Sequence, residues 1–149
     1  MTHTLVQDEA EIRALFTSLV EAMRDRSPAR VVARFAEDAV TFTLAPPLLN
    51  SGVDARDPEA IAGWMAGFDG PITIEHRDLV VEVSGDLAFV HGLQRLAAVP
   101  LGYPEGFSMW TRISAGLRRR DGRWLVAHEH VSVPFYMDGS FLAATDLEP

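Results

Sequence analysis

The sequence predicts an α+β fold, with helices gathered early and an antiparallel meander of strands late. Two observations carry this. From Asp8 to about Arg26, apolar residues recur at the spacing of one helical face. From Ile72 onward, four stretches alternate at period two and follow one another as hairpins, whereas only one short strand precedes them. Helices segregated from an antiparallel meander define the α+β class. A single curved sheet wrapped around the first helix fits these counts and leaves a cavity between its concave face and the helices.

The first helix presents Ile12, Leu15, Phe16, Leu19, Val20 and Met23 on one face, with Asp8 as its cap and Glu11 three residues on, as in a capping box. Ser27-Pro28 ends it and starts a short second helix, with Ser27 as N-cap and Pro28 at the first helical position. A first strand follows over Val40–Leu44. Between Ala45 and Gly52 two prolines remove backbone donors, so no regular element is expected. Leu48 and Leu49 there would cover a pocket mouth, meet a second subunit or fold back on the core. Asp57-Pro58 starts a third helix, with Ile61, Trp64, Met65 and Phe68 as its buried face and Gly70-Pro71 as its stop. In the strand Ile72–Ser84 the apolar positions change phase, from Ile72 and Ile74 to Leu79, Val81 and Val83. A bulge near His76-Arg77-Asp78 reconciles them. Ser84-Gly85-Asp86 turns into the strand Leu87 to about Val99, whose odd positions read Leu87, Phe89, His91, Leu93 and Arg95. The tail from Phe135 begins aromatic and ends acidic, its last residues expected to fray.

The last hairpin organises the chain. After Asp121-Gly122, Trp124, Val126, His128, His130 and Ser132 share one face, and Leu125, Ala127, Glu129, Val131 and Val133 the other. A face that begins aromatic and turns polar is a candidate pocket wall. The preceding strand, Met109–Arg119, alternates too, with Trp110, Arg112 and Ser114 on one side and Ile113 and Leu117 on the other. A two-residue loop pairs Arg120 with Arg123 and sets His130 beside Ile113. A three-residue loop pairs Arg119 with Arg123 and sets Arg112 opposite His130. The second register is preferred, because the first buries Arg112 among aliphatics, at the cost of an unpaired charge. Arg112 and His130 would then lie about 5 Å apart at Cβ and face the cavity. Leu125, Val131, Val133, Ile113 and Leu117 would form an apolar outer face, which predicts a homodimer packed sheet against sheet.

Composition narrows the function. The chain has 149 residues, 48% of them hydrophobic, which suits one folded domain over 1–149. A net charge of -8 argues against a nucleic-acid surface, since phosphate binding needs a concentrated basic face. Absent cysteines exclude disulfides and thiolate chemistry. No apolar stretch approaches about 20 residues, and Met1–Leu5 lacks a leader pattern, so a cytoplasmic protein without membrane contact is expected.

The element order, with Arg34-Phe35-Ala36-Glu37-Asp38-Ala39-Val40 and Arg120-Asp121-Gly122-Arg123-Trp124-Leu125-Val126-Ala127-His128, resembles the NTF2-like superfamily, and within it the SnoaL-like and ketosteroid-isomerase-like branch. The resemblance spans roughly Asp8 to Pro134. It implies a cone-shaped α+β barrel with an internal pocket, usually a homodimer, on a fold that hosts many functions. Two sets of family catalytic residues do not carry over. Thr43 stands where ketosteroid isomerases have their aspartate base, and Leu19 near the position of their tyrosine. The strand before Asp121 reads Ile113-Ser114-Ala115-Gly116, without the acid of SnoaL-type cyclases.

The expected activity is therefore cofactor-independent proton transfer on a small hydrophobic carbonyl compound, with His130 as acid or base and Arg112 as anchor for an oxyanion or carboxylate. The rival is a non-catalytic ligand-binding or dimerisation domain. The alternative for Arg112 is an ion pair with Glu75, Glu82 or Asp38. Phe42, Trp64 and Trp110 are core aromatics or ligand-stacking surfaces, and His91, His128 and Ser132 are further candidate ligand contacts. His128-x-His130 sets two imidazoles on one strand face, as metal sites do. The acid that would complete a cupin-like set is missing, with Pro134 and Phe135 in its place, so no metal is expected.

Overall fold

The computed structural model describes residues 4–149. Met1, Thr2 and His3, part of the stretch read for a leader pattern, lie outside them. Helices α1 (Leu5–Arg24) and α2 (Pro28–Val32) lead into strand β1 (Phe35–Phe42). A two-residue β2 (Asn50–Ser51), a 3-10 turn (Asp54–Arg56) and α3 (Pro58–Met65) follow. The meander is β3 (Phe68–Ser84), β4 (Leu87–Pro100), β5 (Phe107–Arg120) and β6 (Arg123–Ser132). One unclosed sheet runs β2-β1-β6-β5-β4-β3, with β1 parallel to β6 and the other neighbours antiparallel. The expected α+β architecture is present. No helix among the described residues is long and apolar enough to cross a membrane.

Several local expectations need correction. Thr4, not Asp8, caps α1, its hydroxyl accepting from Gln7 N at 3.1 Å while Gln7 Oε1 accepts from Thr4 N at 3.0 Å. Asp8 is buried instead. It accepts a hydrogen bond from Trp124 Nε1 at 3.0 Å and pairs with Arg119, fastening α1 to the last hairpin. Strand β1 starts at Phe35, ahead of Val40, because Phe35 and Val126 already pair across the sheet. The chain leaves α3 after Met65 and enters β3 at Phe68, so Gly70-Pro71 lies within the strand. Trp64 is 42% exposed, resting on Phe68 edge-on.

The predicted bulge in β3 is present. Arg77 pairs with Leu93 and Val80 with His91, which leaves Asp78 and Leu79 opposite Gly92 alone. Asp78 has φ +56°. A Cβ on Gly92 would stand 2.8 Å from Leu79 Cδ2 and 3.0 Å from Arg77 O, so the glycine makes room for the bulge. Its effect is to turn both Ile72, Ile74 and His76 and then Leu79, Val81 and Val83 toward the helices.

A second bulge settles the last hairpin. Asp121 and Gly122 both have positive φ, forming the two-residue type I′ turn, and Arg120 pairs with Arg123. The preferred three-residue register is therefore overturned. Leu117 pairs with Val126 but Gly116 with His128, so Ala127 is the extra residue. From there Ser114 faces His130 and Arg112 faces Ser132. The mixed pairing that would bury Arg112 is avoided, by a bulge in place of a longer turn.

The bulge splits the face expected to line the cavity: Trp124 and Val126 point inward as expected, whereas His128, His130 and Ser132 beyond it turn outward. Ile113, Leu117 and Val126 are buried with Ile12 and Phe16 of α1, and Val131 packs against that cluster. A second cluster joins Leu19, Ala22 and Met23 to Met65, Ile72, Ile74, Leu96 and Ala98. Of the apolar set expected on the outer face, Ile113, Leu117 and Val131 thus lie on the inner one, because α1 covers it and burial removes apolar surface from water. Leu125, paired with Arg118 ahead of the bulge, stays on the outer face. Arg112 and His130 are exposed on the opposite, outer face.

Candidate functional site

Between the two apolar clusters a row of polar side chains crosses the inner face of the sheet. His76, Gln94 and Thr111 are successive cross-strand partners on β3, β4 and β5. The β3 bulge keeps His76 inward at the end of the Ile72–Ile74 phase. His76 Nε2 and Gln94 Oε1 are 2.9 Å apart, and Thr111 Oγ1 donates to the Gln94 carbonyl at 3.0 Å. In the tautomer this contact selects, Nε2 carries the proton and Nδ1 is a lone-pair acceptor. Burial, the largest influence, holds His76 below the ordinary imidazole pKa. The Gln94 hydrogen bond opposes this, and the nearby positive charge of Arg34 reinforces it. The imidazole is therefore neutral at pH 7 and can accept a proton.

Arg34 and Glu129 form a second polar group on the same inner face, Glu129 pairing with Ala115 further along β5. Arg34 lies between α2 and β1, with its side chain only 3% exposed. Its Nε donates to the Leu15 carbonyl of α1 at 3.1 Å, and its guanidinium lies 5.8 Å from the centre of the Phe16 ring. The same ring meets His76 edge-on at 5.4 Å, so Phe16 sits beside both groups. Glu129 is turned inward by the β6 bulge, with its side chain 14% exposed. Arg34 Nη2 and Glu129 Oε2 stand 3.7 Å apart, beyond hydrogen-bond reach. Both atoms are buried without a hydrogen-bond partner among the described residues. Burial lowers the Arg34 pKa from its ordinary value and Glu129 opposes that shift. An ion pair kept in an apolar interior with one atom of each partner unsatisfied is costly, and buried groups of this kind concentrate at functional sites.

The residues singled out from the sequence lie elsewhere. Arg112 and His130 share a face, as expected, but it is the outer one, and they pair with Ser132 and Ser114 respectively. Arg112 forms no ion pair among the described residues, and Asp38, one of the acids considered for it, holds Arg120 at 2.8 Å. His130 and Ser132, with Phe42 and the Leu44–Leu49 loop, line a surface groove of about 810 Å³. Phe42 touches both His128 and His130 edge-on, with ring centres 4.8 and 5.3 Å apart. His128 Nδ1 lies 2.8 Å from the Val40 carbonyl, and the residue borders a second outer groove of about 600 Å³ with Phe89, Gly116 and Arg118. His91 is exposed beside Phe89. Trp110 donates to Glu148 of the tail at 3.0 Å and carries Arg77 over its ring. Among the described residues no three His, Cys, Asp or Glu side chains are grouped to hold a metal ion.

Sequence reasoning passed over Arg34, His76 and Glu129 as site residues. For His76 a signal existed: the phase change that required a bulge also decides which way this histidine points. For Glu129 the inward turn depends on the bulge at Ala127, which nothing in the local sequence marks.

Comparison with known proteins agrees with this architecture. The family model described as SnoaL-like domain matches residues 12–136. An NTF2-like protein of unknown function from Pseudomonas putida is 33% identical, with 99% of this chain and 100% of that one aligned at a TM-score of 0.84. A candidate scytalone dehydratase from Novosphingobium aromaticivorans aligns over 99% and 100% of the two chains at 15% identity and a TM-score of 0.78. A candidate dehydratase of the NTF2-like family from Streptomyces avermitilis aligns over 87% and 97% at 18% identity and a TM-score of 0.71. No curated protein matches. The chain belongs to the SnoaL-like domain family and has the NTF2-like fold.

Proposed function

We propose that this chain is a cofactor-independent enzyme that moves a proton on a small, hydrophobic, carbonyl-bearing compound, as in isomerisation, dehydration or cyclisation. One observation carries the reading. A neutral, half-buried imidazole, His76, faces the same interior as the Arg34–Glu129 pair, with Phe16 touching both His76 and Arg34 and the Arg34 charge felt at His76. His76 Nδ1 is the base that takes a proton next to the carbonyl. Arg34 supplies the positive charge that favours the enolate as it forms, and in an apolar interior that charge is little screened. Dehydration is also the reaction in the names of two structural neighbours. The test is solvent-deuterium incorporation next to the carbonyl of small enolisable ketones, comparing the wild type with His76→Asn.

A second reading keeps the chemistry on the outer face, with His130 as acid or base and Arg112 as anchor beside the groove formed by Phe42, Ser132 and the Leu44–Leu49 loop. His130→Ala and Arg112→Ala in the same assay separate the two. For assembly, a homodimer built on the outer face is our reading, because that face exposes Val80 (41%), Leu87 (55%) and Phe89 (49%) on adjacent strands. Neighbouring exposed apolar side chains favour an interface.

A further inference from the structure

The outer face of the sheet carries a groove of about 600 Å³ with an acid on one side and a cation on the other. Across β3, β4, β5 and β6, Glu82 pairs with Phe89, Phe89 with Gly116, and Gly116 with His128. The neighbouring row is Ser84, Leu87, Arg118 and Leu125. Gly116 leaves a notch in the groove. A Cβ there would meet nothing nearer than His128 Cβ, at 4.0 Å. Gly116 is not among the residues with positive φ, so neither packing nor backbone conformation calls for glycine.

Two exposed charges flank the notch without partners in their own chain. Neither Glu82 nor Arg118 makes a side-chain ion pair or hydrogen bond with a described residue. Asp38 lies near enough to feel the Arg118 charge but is held by both terminal nitrogens of Arg120, at 2.8 and 3.0 Å. Leu87 and Phe89 stand between the two charges on β4, each about half exposed.

We propose that a second copy of this chain covers this face with the two-fold axis along β4, so that each copy's Glu82 enters the other's Gly116 notch and pairs with Arg118. This rests on the homodimer built on the outer face and fixes its orientation. Two sheets packed face to face lie about 10 Å apart. A two-fold relation between like faces places its axis in the plane between them. An axis along β4 sets β3 over the partner's β5. Glu82 then lies over the partner's Gly116, whose missing side chain admits the carboxylate, one row, or about 7 Å, from the partner's Arg118. Leu87 and Phe89 meet their own copies at the axis. An axis across the strands, between these two rows, instead sets β3 over β3 and β5 over β5. That brings Glu82 to Glu82 and Arg118 to Arg118. Like charges so placed oppose association, and the charge pattern therefore selects the first arrangement.

The test is sedimentation of the full chain at low salt, with the charge reversed at each position. Glu82→Arg and Arg118→Glu should each weaken dimerisation at least about tenfold, because each sets like charges together at two symmetric places. The double variant Glu82→Arg/Arg118→Glu remakes both pairs in the opposite sense and should dimerise within about threefold of wild type. An equimolar mixture of the two single variants should likewise form a heterodimer. Both positions are exposed, and circular dichroism confirms that the variants fold. If one does not, Glu82→Gln and Arg118→Gln serve. Each should remove most of the weakening that about 0.5 M salt causes in the wild-type dimer, and a wild-type dimer indifferent to salt overturns the pairing. A dimeric wild type that the single reversals leave undiminished overturns it too, as does a double variant no better than the singles. In those cases the outer-face dimer itself still stands, since Phe89→Glu tests it separately. A monomeric wild type at micromolar concentration removes both.

Discussion

Replacing Arg34 by methionine should be among the most damaging single changes in this chain, and the structure sets the scale. The substitution keeps most of the apolar stem but removes the only cation that faces Glu129 among the described ion pairs. A buried charge stripped of its partner costs about 3–5 kcal/mol. Loss of the Nε bond to the Leu15 carbonyl adds about 1 kcal/mol, softened because Ser18 Oγ also donates to that oxygen at 2.6 Å. Against a net stability of about 5–15 kcal/mol for domains in general, the loss is large. At about 2–4 °C per kcal/mol for a chain of this size, the melting temperature should fall by roughly 10–20 °C. The double substitution Arg34→Met/Glu129→Leu removes both charges and should recover to within about 2 kcal/mol of wild type, since apolar replacements of buried pairs are often neutral. Urea unfolding with an unchanged m-value measures both. A single-variant loss below about 1 kcal/mol, or a double variant no better than the single, would refute the reasoning.

Two further outcomes are expected. His76 is held below its ordinary pKa in the folded chain, so the unfolded chain binds the proton more readily. Its contribution to stability is then full above about pH 6.5 and lost as the pH falls toward the folded-state value. His76→Asn should flatten that part of the stability profile, and an unchanged slope below about pH 6.5 would contradict the assignment. Sedimentation should show a dimer at micromolar concentration that Phe89→Glu converts to a monomer, and a monomeric wild type would remove the outer-face assembly.

How much was legible in the sequence depended on whether the signal was local. The caps at Ser27-Pro28 and Asp57-Pro58 were readable, because the residue that satisfies the first backbone donors is itself in the sequence. The β3 bulge was readable because two apolar phases cannot share one face without an extra residue. The direction of the last hairpin was not. Both strands have one apolar and one mixed face, and alternation alone does not say which face a distant helix covers. The rule against burying Arg112 was sound, but a two-residue turn with a later bulge satisfies it as well as a three-residue turn does. Ala127 carries no mark of the bulge, and its insertion decides that Glu129 points inward and His130 outward. The Arg34–Glu129 pair joins residues far apart in the chain and could be seen only once β1 lay beside β6.

The measurement that bears most directly on the interior site is deuterium incorporation followed by proton NMR. Cyclohexanone and 2-tetralone serve as enolisable probes in deuterated buffer, with wild type, His76→Asn, His130→Ala and Arg112→Ala at equal concentration. The account predicts that the wild type accelerates exchange next to the carbonyl. His76→Asn should lose about 10²-fold or more, the range of a general base, while His130→Ala and Arg112→Ala stay near the wild-type rate. Exchange that disappears in His130→Ala and persists in His76→Asn would move the chemistry to the outer face. No acceleration of either probe by folded wild type would contradict the catalytic reading itself.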